Sequence, residues 1–133
     1  MRASGEWTVE GLFAGRPVSM ALFHAVQLYI ESLGTVRMEA MKSQISFGTR
    51  TKFAWVWLPM PWAKNRPENS IVLIIGLGRQ IKHERIVQAI EPRPGRWTHH
   101  IIIENEAGLD DDVRAWLREA YAFSQDRRIH HGS

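Results

Sequence analysis

Between Pro17 and Leu33 apolar residues recur at intervals of three and four, at Leu22, Phe23, Val26, Ile30 and Leu33, while His24, Gln27 and Glu31 take the opposite side. That is the period of an amphipathic helix. Pro17 suits a first helical position, whose N–H would go unpaired anyway, and Gly34 suits a left-handed helix end. After Gly34 the period shortens to two. Val36, Met38 and Ala40 alternate with Thr35, Arg37 and Glu39, and Ile45 and Phe47 alternate with Gln44 and Ser46, as in half-buried strands. Residues 53–58 and 70–77 are apolar on both parities, which predicts central strands covered on both sides or half-covered by long neighbours. Residues 85–90 read as a short strand before the turn Pro92-Arg93-Pro94-Gly95. The next strand, residues 97–103, puts Trp97, His99, Ile101 and Ile103 on one face and Thr98, His100 and Ile102 on the other. At the ends, the Thr8 hydroxyl can cap a short helical turn running to Phe13, and a last helix begins at Asp110 with the stripe Val113, Trp116, Leu117, Ala120.

The order is helix, five or six strands joined mostly by short turns, then helix. Short turns favour antiparallel pairing, because parallel neighbours need long crossovers. The predicted fold is therefore α+β and two-layered: a mostly antiparallel five- to six-stranded meander sheet with an N-terminal and a C-terminal helix packed on one face. One domain is expected over residues 1–125, followed by a flexible tail over 126–133. The connection over residues 59–69, rich in Pro, Lys and Arg, is long for a hairpin and is a candidate functional loop.

Composition narrows the function classes. A hydrophobic fraction of 44% and a charged fraction of 23% describe a globular chain. With no cysteine, disulfides, Cys-ligated metals and thiol chemistry are excluded. The first ten residues carry Arg2, Glu6 and Glu10 and no apolar run of signal-peptide length. The longest apolar stretch, residues 71–77, is far short of the roughly 20 residues of a membrane-spanning helix. A cytoplasmic protein without a membrane partner is expected.

Charge adds an asymmetry. The formal +3 resolves into a segment from Thr35 to His100 with 11 cations and 4 carboxylates, and flanks that are net negative. Trp62 and Trp97 sit among these charges, and cations interleaved with aromatics suit phosphates and bases. The plainer reading is a solvated sheet face. His99 and His100, being adjacent on a strand, point to opposite faces and cannot readily share a metal, and no HExxH motif supplies partners. No metal and no cofactor are expected. Gly76-Leu77-Gly78 follows a strand like a dinucleotide fingerprint but lacks its third glycine and following helix. Asp110, Asp111 and Asp112 are better read as a helix cap with dipole-favoured acids than as a metal site, and His130 and His131 carry no mechanism.

Separated segments, including Thr8-Val9-Glu10-Gly11-Leu12-Phe13, Lys42-Ser43-Gln44-Ile45-Ser46-Phe47, residues 53–59, residues 94–100 and residues 116–121, make the chain resemble the bacterial domains grouped as domain of unknown function 5655. The resemblance implies a shared fold and a small cytoplasmic protein or module, names no substrate, and maps onto Lys42, Phe47, Arg85, Trp97, His99 and His100. The leading expectation is a non-enzymatic module that binds an anionic small molecule or nucleic acid. In it Lys42, Arg50, Arg79 and Arg85 supply charge, and Trp97 with His99 or His100 supplies stacking and hydrogen bonds. Two alternatives stand beside it. One is a small enzyme using His99 or His100 as general acid or base on an anionic substrate. The other is an interaction or homodimerisation domain using the Trp55 or Trp57 side of the sheet.

Overall fold

The computed structural model describes residues 7–59 and 69–126, so Trp62, Lys64 and Arg66 of the 59–69 connection, His130 and His131, and the tail beyond Asp126 lie outside the described residues. The elements are α1 (Val9–Leu12), α2 (Pro17–Leu33), β1 (Arg37–Ala40), β2 (Gln44–Gly48), β3 (Lys52–Trp57), β4 (Ile71–Leu77), β5 (Ile86–Arg93), β6 (Arg96–Ile103), a 3-10 turn (Glu106–Gly108) and α3 (Asp111–Gln125). The local signals act as expected. Gly11 N–H donates to Thr8 Oγ1 at 2.9 Å, Pro17 opens α2, and Val113 N–H donates to Asp110 Oδ1 at 3.0 Å. Gly34 ends α2 at φ +149°, a conformation open to glycine, and a Cβ there would strike the Tyr121 hydroxyl.

All strand pairs are antiparallel, in the order β1-β2-β3-β4-β6-β5. β1 to β4 meander; then the chain passes over to the edge as β5 and returns as β6 beside β4. The hairpin at Gly95 (φ +77°) makes this arrangement local, since β5 and β6 need only each other to form.

Register sorts the side chains. On one side Ile45, Phe47, Ala54, Val56, Leu73, Ile75, His99 and Ile101 fall in line across β2, β3, β4 and β6. α2 and α3 both cover this side: Phe23 stacks on Phe47 at 6.1 Å between centroids, and Val113, Leu117 and Ala120 are buried. Phe23, Val26 and Ile30 are fully buried, and each contributes about 1.5–3 kcal/mol. Helix propensities, worth at most about 1 kcal/mol per ordinary residue, are secondary to this burial.

Strict alternation would send Phe53 to the far side with Trp55. A bulge between Phe47 and Gly48 prevents it: Phe47 pairs with Ala54 and Gly48 with Lys52, leaving Phe53 as the extra residue. Phe53 turns inward instead and meets Tyr121 edge-on at 5.8 Å. On the far side, Val72 and Ile74 of β4 lie between Trp55 and Trp57 of β3 and His100 and Ile102 of β6, and both are buried. This accounts for the two-parity apolar run in β4. Among the described residues no helix is long and apolar enough to cross a membrane.

Candidate functional site

The four cations expected to share a surface are distributed over four places. Arg79, just past β4, makes a bidentate pair with Glu119 of α3, Nε and Nη2 each 2.9 Å from a carboxylate oxygen, and this carboxylate raises the guanidinium's pKa. Arg85, just before β5, donates from Nη1 to Asp110 Oδ2 at 2.7 Å and from Nη2 to the Gly108 carbonyl at 2.9 Å. Asp110 thus caps α3 with one oxygen and anchors Arg85 with the other. Arg50 is exposed in the β2–β3 turn, and Lys42 is exposed in the β1–β2 turn at the opposite end of β2. Lys42, Arg85, Trp97 and a histidine therefore do not converge on one concavity.

The two histidines separate as their parity requires. His99 faces the helices and is buried; its Nε2 accepts the Ile81 N–H at 2.9 Å, so Nδ1 carries the proton and donates to the Ile75 carbonyl at 3.2 Å. Burial is the main cause that lowers its pKa, opposed by the Ile75 hydrogen bond. Both ring nitrogens are committed to backbone, which leaves none for a ligand. What His99 does is pin the connection between β4 and β5 to the sheet through Ile81. Trp97, two residues earlier, lies on the same side opposite Leu77 and is half-buried. His100 lies on the far side, where its ring meets Trp57 edge-on at 5.3 Å.

His83 belongs to the same anchoring system as Arg85. Its Nδ1 accepts the Arg85 N–H at 3.0 Å, its Nε2 lies 3.3 Å from Asp112 Oδ2, and its ring stands edge-on to Trp116. Among the described residues no three His, Asp or Glu side chains gather as a metal site requires.

Cavities lie elsewhere. One of about 360 Å³ is lined by Leu12, Arg16, Lys42, Ser43, Gln44, Trp57, Leu58 and Pro59. It brings Lys42 together with Trp57, whose indole Nε1 donates to Gln44 Oε1 at 2.7 Å and whose ring contacts His100. The indole is thereby held from two sides while staying half-exposed. A second cavity, about 420 Å³, opens on the far side of β1–β3 and is lined by Arg37, Met38, Glu39, Ser46, Gly48 and Lys52. Of the predicted site residues the first cavity's lining includes Lys42, and His100 contacts its Trp57 wall. Arg16, Arg37, Lys52, Gln44 and Trp57 were not among them. Period-two alternation in β1 and β2 could have grouped Arg37 with Gln44 and Ser46. Lys52 joins them only through the bulge, which the apolar pattern does not announce.

No curated protein and no solved structure matches the chain. A family model, described as a domain of unknown function (DUF5655), matches residues 9–124, from α1 through α3. The chain therefore belongs to the family of domain of unknown function 5655.

Proposed function

We propose that this domain is a non-enzymatic binding module whose Lys42 cleft holds a small anion bearing a flat ring, of the nucleotide class. One observation carries the reading: Lys42, Arg16 and the indole of Trp57 line a single cavity of about 360 Å³. Cations provide the attraction to a phosphate, and a half-exposed indole provides a stacking surface that any base can use. Gln44 and Ser43 add polar groups to the same wall. Because Trp57 is already tied to Gln44 and His100, stacking on it costs little further side-chain ordering.

Titration with AMP and ATP, followed by quenching of tryptophan fluorescence at low and moderate salt, tests the reading. Binding that weakens with salt and drops by about tenfold in Lys42→Glu, but not in Arg50→Glu, is expected. If the unaltered protein shows no salt-dependent binding of either nucleotide, the proposal fails.

A further inference from the structure

Resting on the anion-binding reading, we infer that the ligand is a single-stranded nucleic acid and that the cavity at Arg37 and Lys52 is its second subsite. The two cavities are joined by contacts along the far side of β2. Lys52 Nζ lies 3.9 Å from Met41 Sδ, Met41 Sδ lies 3.5 Å from Gln44 Nε2, and Gln44 Oε1 holds the Trp57 indole at 2.7 Å. Cations stand along this strip: Lys42 at one end, Arg37 at the other where its Nη2 donates to the Thr49 carbonyl at 3.1 Å, and the Lys52 ammonium between them beside Met41. Ser46, whose residue pairs with Glu39 and Trp55 in the sheet, lies between them.

Length decides the class of ligand. Gln44 to Gly48 spans about 13 Å of strand at roughly 3.3 Å per residue. At about 3.4 Å per stacked nucleotide, that distance fits about four nucleotides and exceeds a mononucleotide. The stacking surface selects a single strand, because the bases of a duplex are already stacked on one another and cannot lie on Trp57. Among the described residues lining the strip the opposing charge is Glu39, whose carboxylate lies 3.2 Å from Lys52 Nζ with both side chains partly exposed. A phosphate that takes over Lys52 leaves Glu39 facing the strand, so Glu39 weakens binding and its removal strengthens it.

The test compares thymidine monophosphate with oligothymidylates of two, four and eight nucleotides, competing against a labelled eight-nucleotide strand. Affinity is expected to rise at least about tenfold from one nucleotide to four and then to level off per site. Arg37→Glu/Lys52→Glu is expected to erase that rise while leaving monophosphate affinity unchanged, and Glu39→Gln to increase tetranucleotide affinity. Thermal melting of the variants, whose replaced side chains are exposed or partly exposed, confirms that they are folded. Equal affinities for one and four nucleotides, or full tetranucleotide affinity in the folded double variant, overturn the second subsite and leave the anion-binding reading standing. Tighter binding of a duplex of the same sequence overturns the single-strand assignment. Absence of binding to every length defeats both readings.

Discussion

The two ends of the sheet use their cations differently. Around β5, β6 and α3, Arg79 is paired with Glu119 and Arg85 with Asp110, and the His83 ring, whose Nδ1 accepts the Arg85 N–H, sets its Nε2 3.3 Å from Asp112 Oδ2. Along β1 to β3, Arg37, Lys52 and Lys42 line cavities, and of these Lys52 alone has a carboxylate partner, Glu39, among the described residues. The reason is topological. Because β6 returns between β4 and β5, residues 78–85 must cross to the sheet's edge, and that crossing needs anchors to α3 and to the sheet. β1 to β4 meander through short turns or pair as direct neighbours, and the polar parity of β1 and β2 is left on the side away from the helices. A formal charge thus ties the crossing to α3 at one end, while at the other the cations stay on the exposed surface, with Arg37 bonded to the Thr49 carbonyl, Lys52 beside Glu39 and Lys42 exposed.

Substitutions can break this contrast. The largest effect is expected at His99. His99→Ala removes a buried ring and leaves the Ile81 N–H without its acceptor, which should cost about 3–4 kcal/mol in denaturant unfolding. His99 also confers a pH dependence. Its folded-state pKa is lowered, so above about pH 6.5 both states are neutral and its contribution is intact. As pH falls below that, the unfolded state takes up a proton that the folded state refuses, and stability declines toward the lowered folded value. The difference in stability between the protein and His99→Gln, measured from pH 8 to 5, should therefore shrink on acidification. A constant difference would contradict this account.

Next in size is Arg85. Arg85→Ala breaks the pair with Asp110 and the bond to the Gly108 carbonyl in a partly buried setting, with an expected loss of about 2–3 kcal/mol in the same measurement. The smallest effects are expected where side chains are exposed. Arg79→Ala removes a bidentate pair at the surface and should cost less than about 1 kcal/mol. Lys42→Glu should shift stability by less than about 0.5 kcal/mol while affecting ligand binding. If Lys42→Glu proves as destabilising as Arg85→Ala, the division between tying and surface cations is wrong.

Much of the scaffold was readable because periodicity reports burial. The stripe of α2, the alternation of β6 and the Asp110 cap each depend on neighbours within a few residues. The opposite orientations of His99 and His100 follow from pleat geometry alone. The site was less readable. Arg79 and Arg85 looked like members of a basic surface because their carboxylate partners lie 40 and 25 residues away. Trp97 and His99 looked available because alternation says that two faces exist and not which one the helices take.

By itself the sequence determined the α+β class, the antiparallel pairing, the starts of the two long helices and the parity of β1, β2 and β6, all consequences of short-range geometry and apolar period. Only the tertiary structure decided that β6 returns beside β4, that a bulge turns Phe53 inward and brings Lys52 beside Gly48, and which cations meet a carboxylate. Those outcomes depend on contacts between residues distant in sequence, where attraction is set by the completed fold and no local pattern records it.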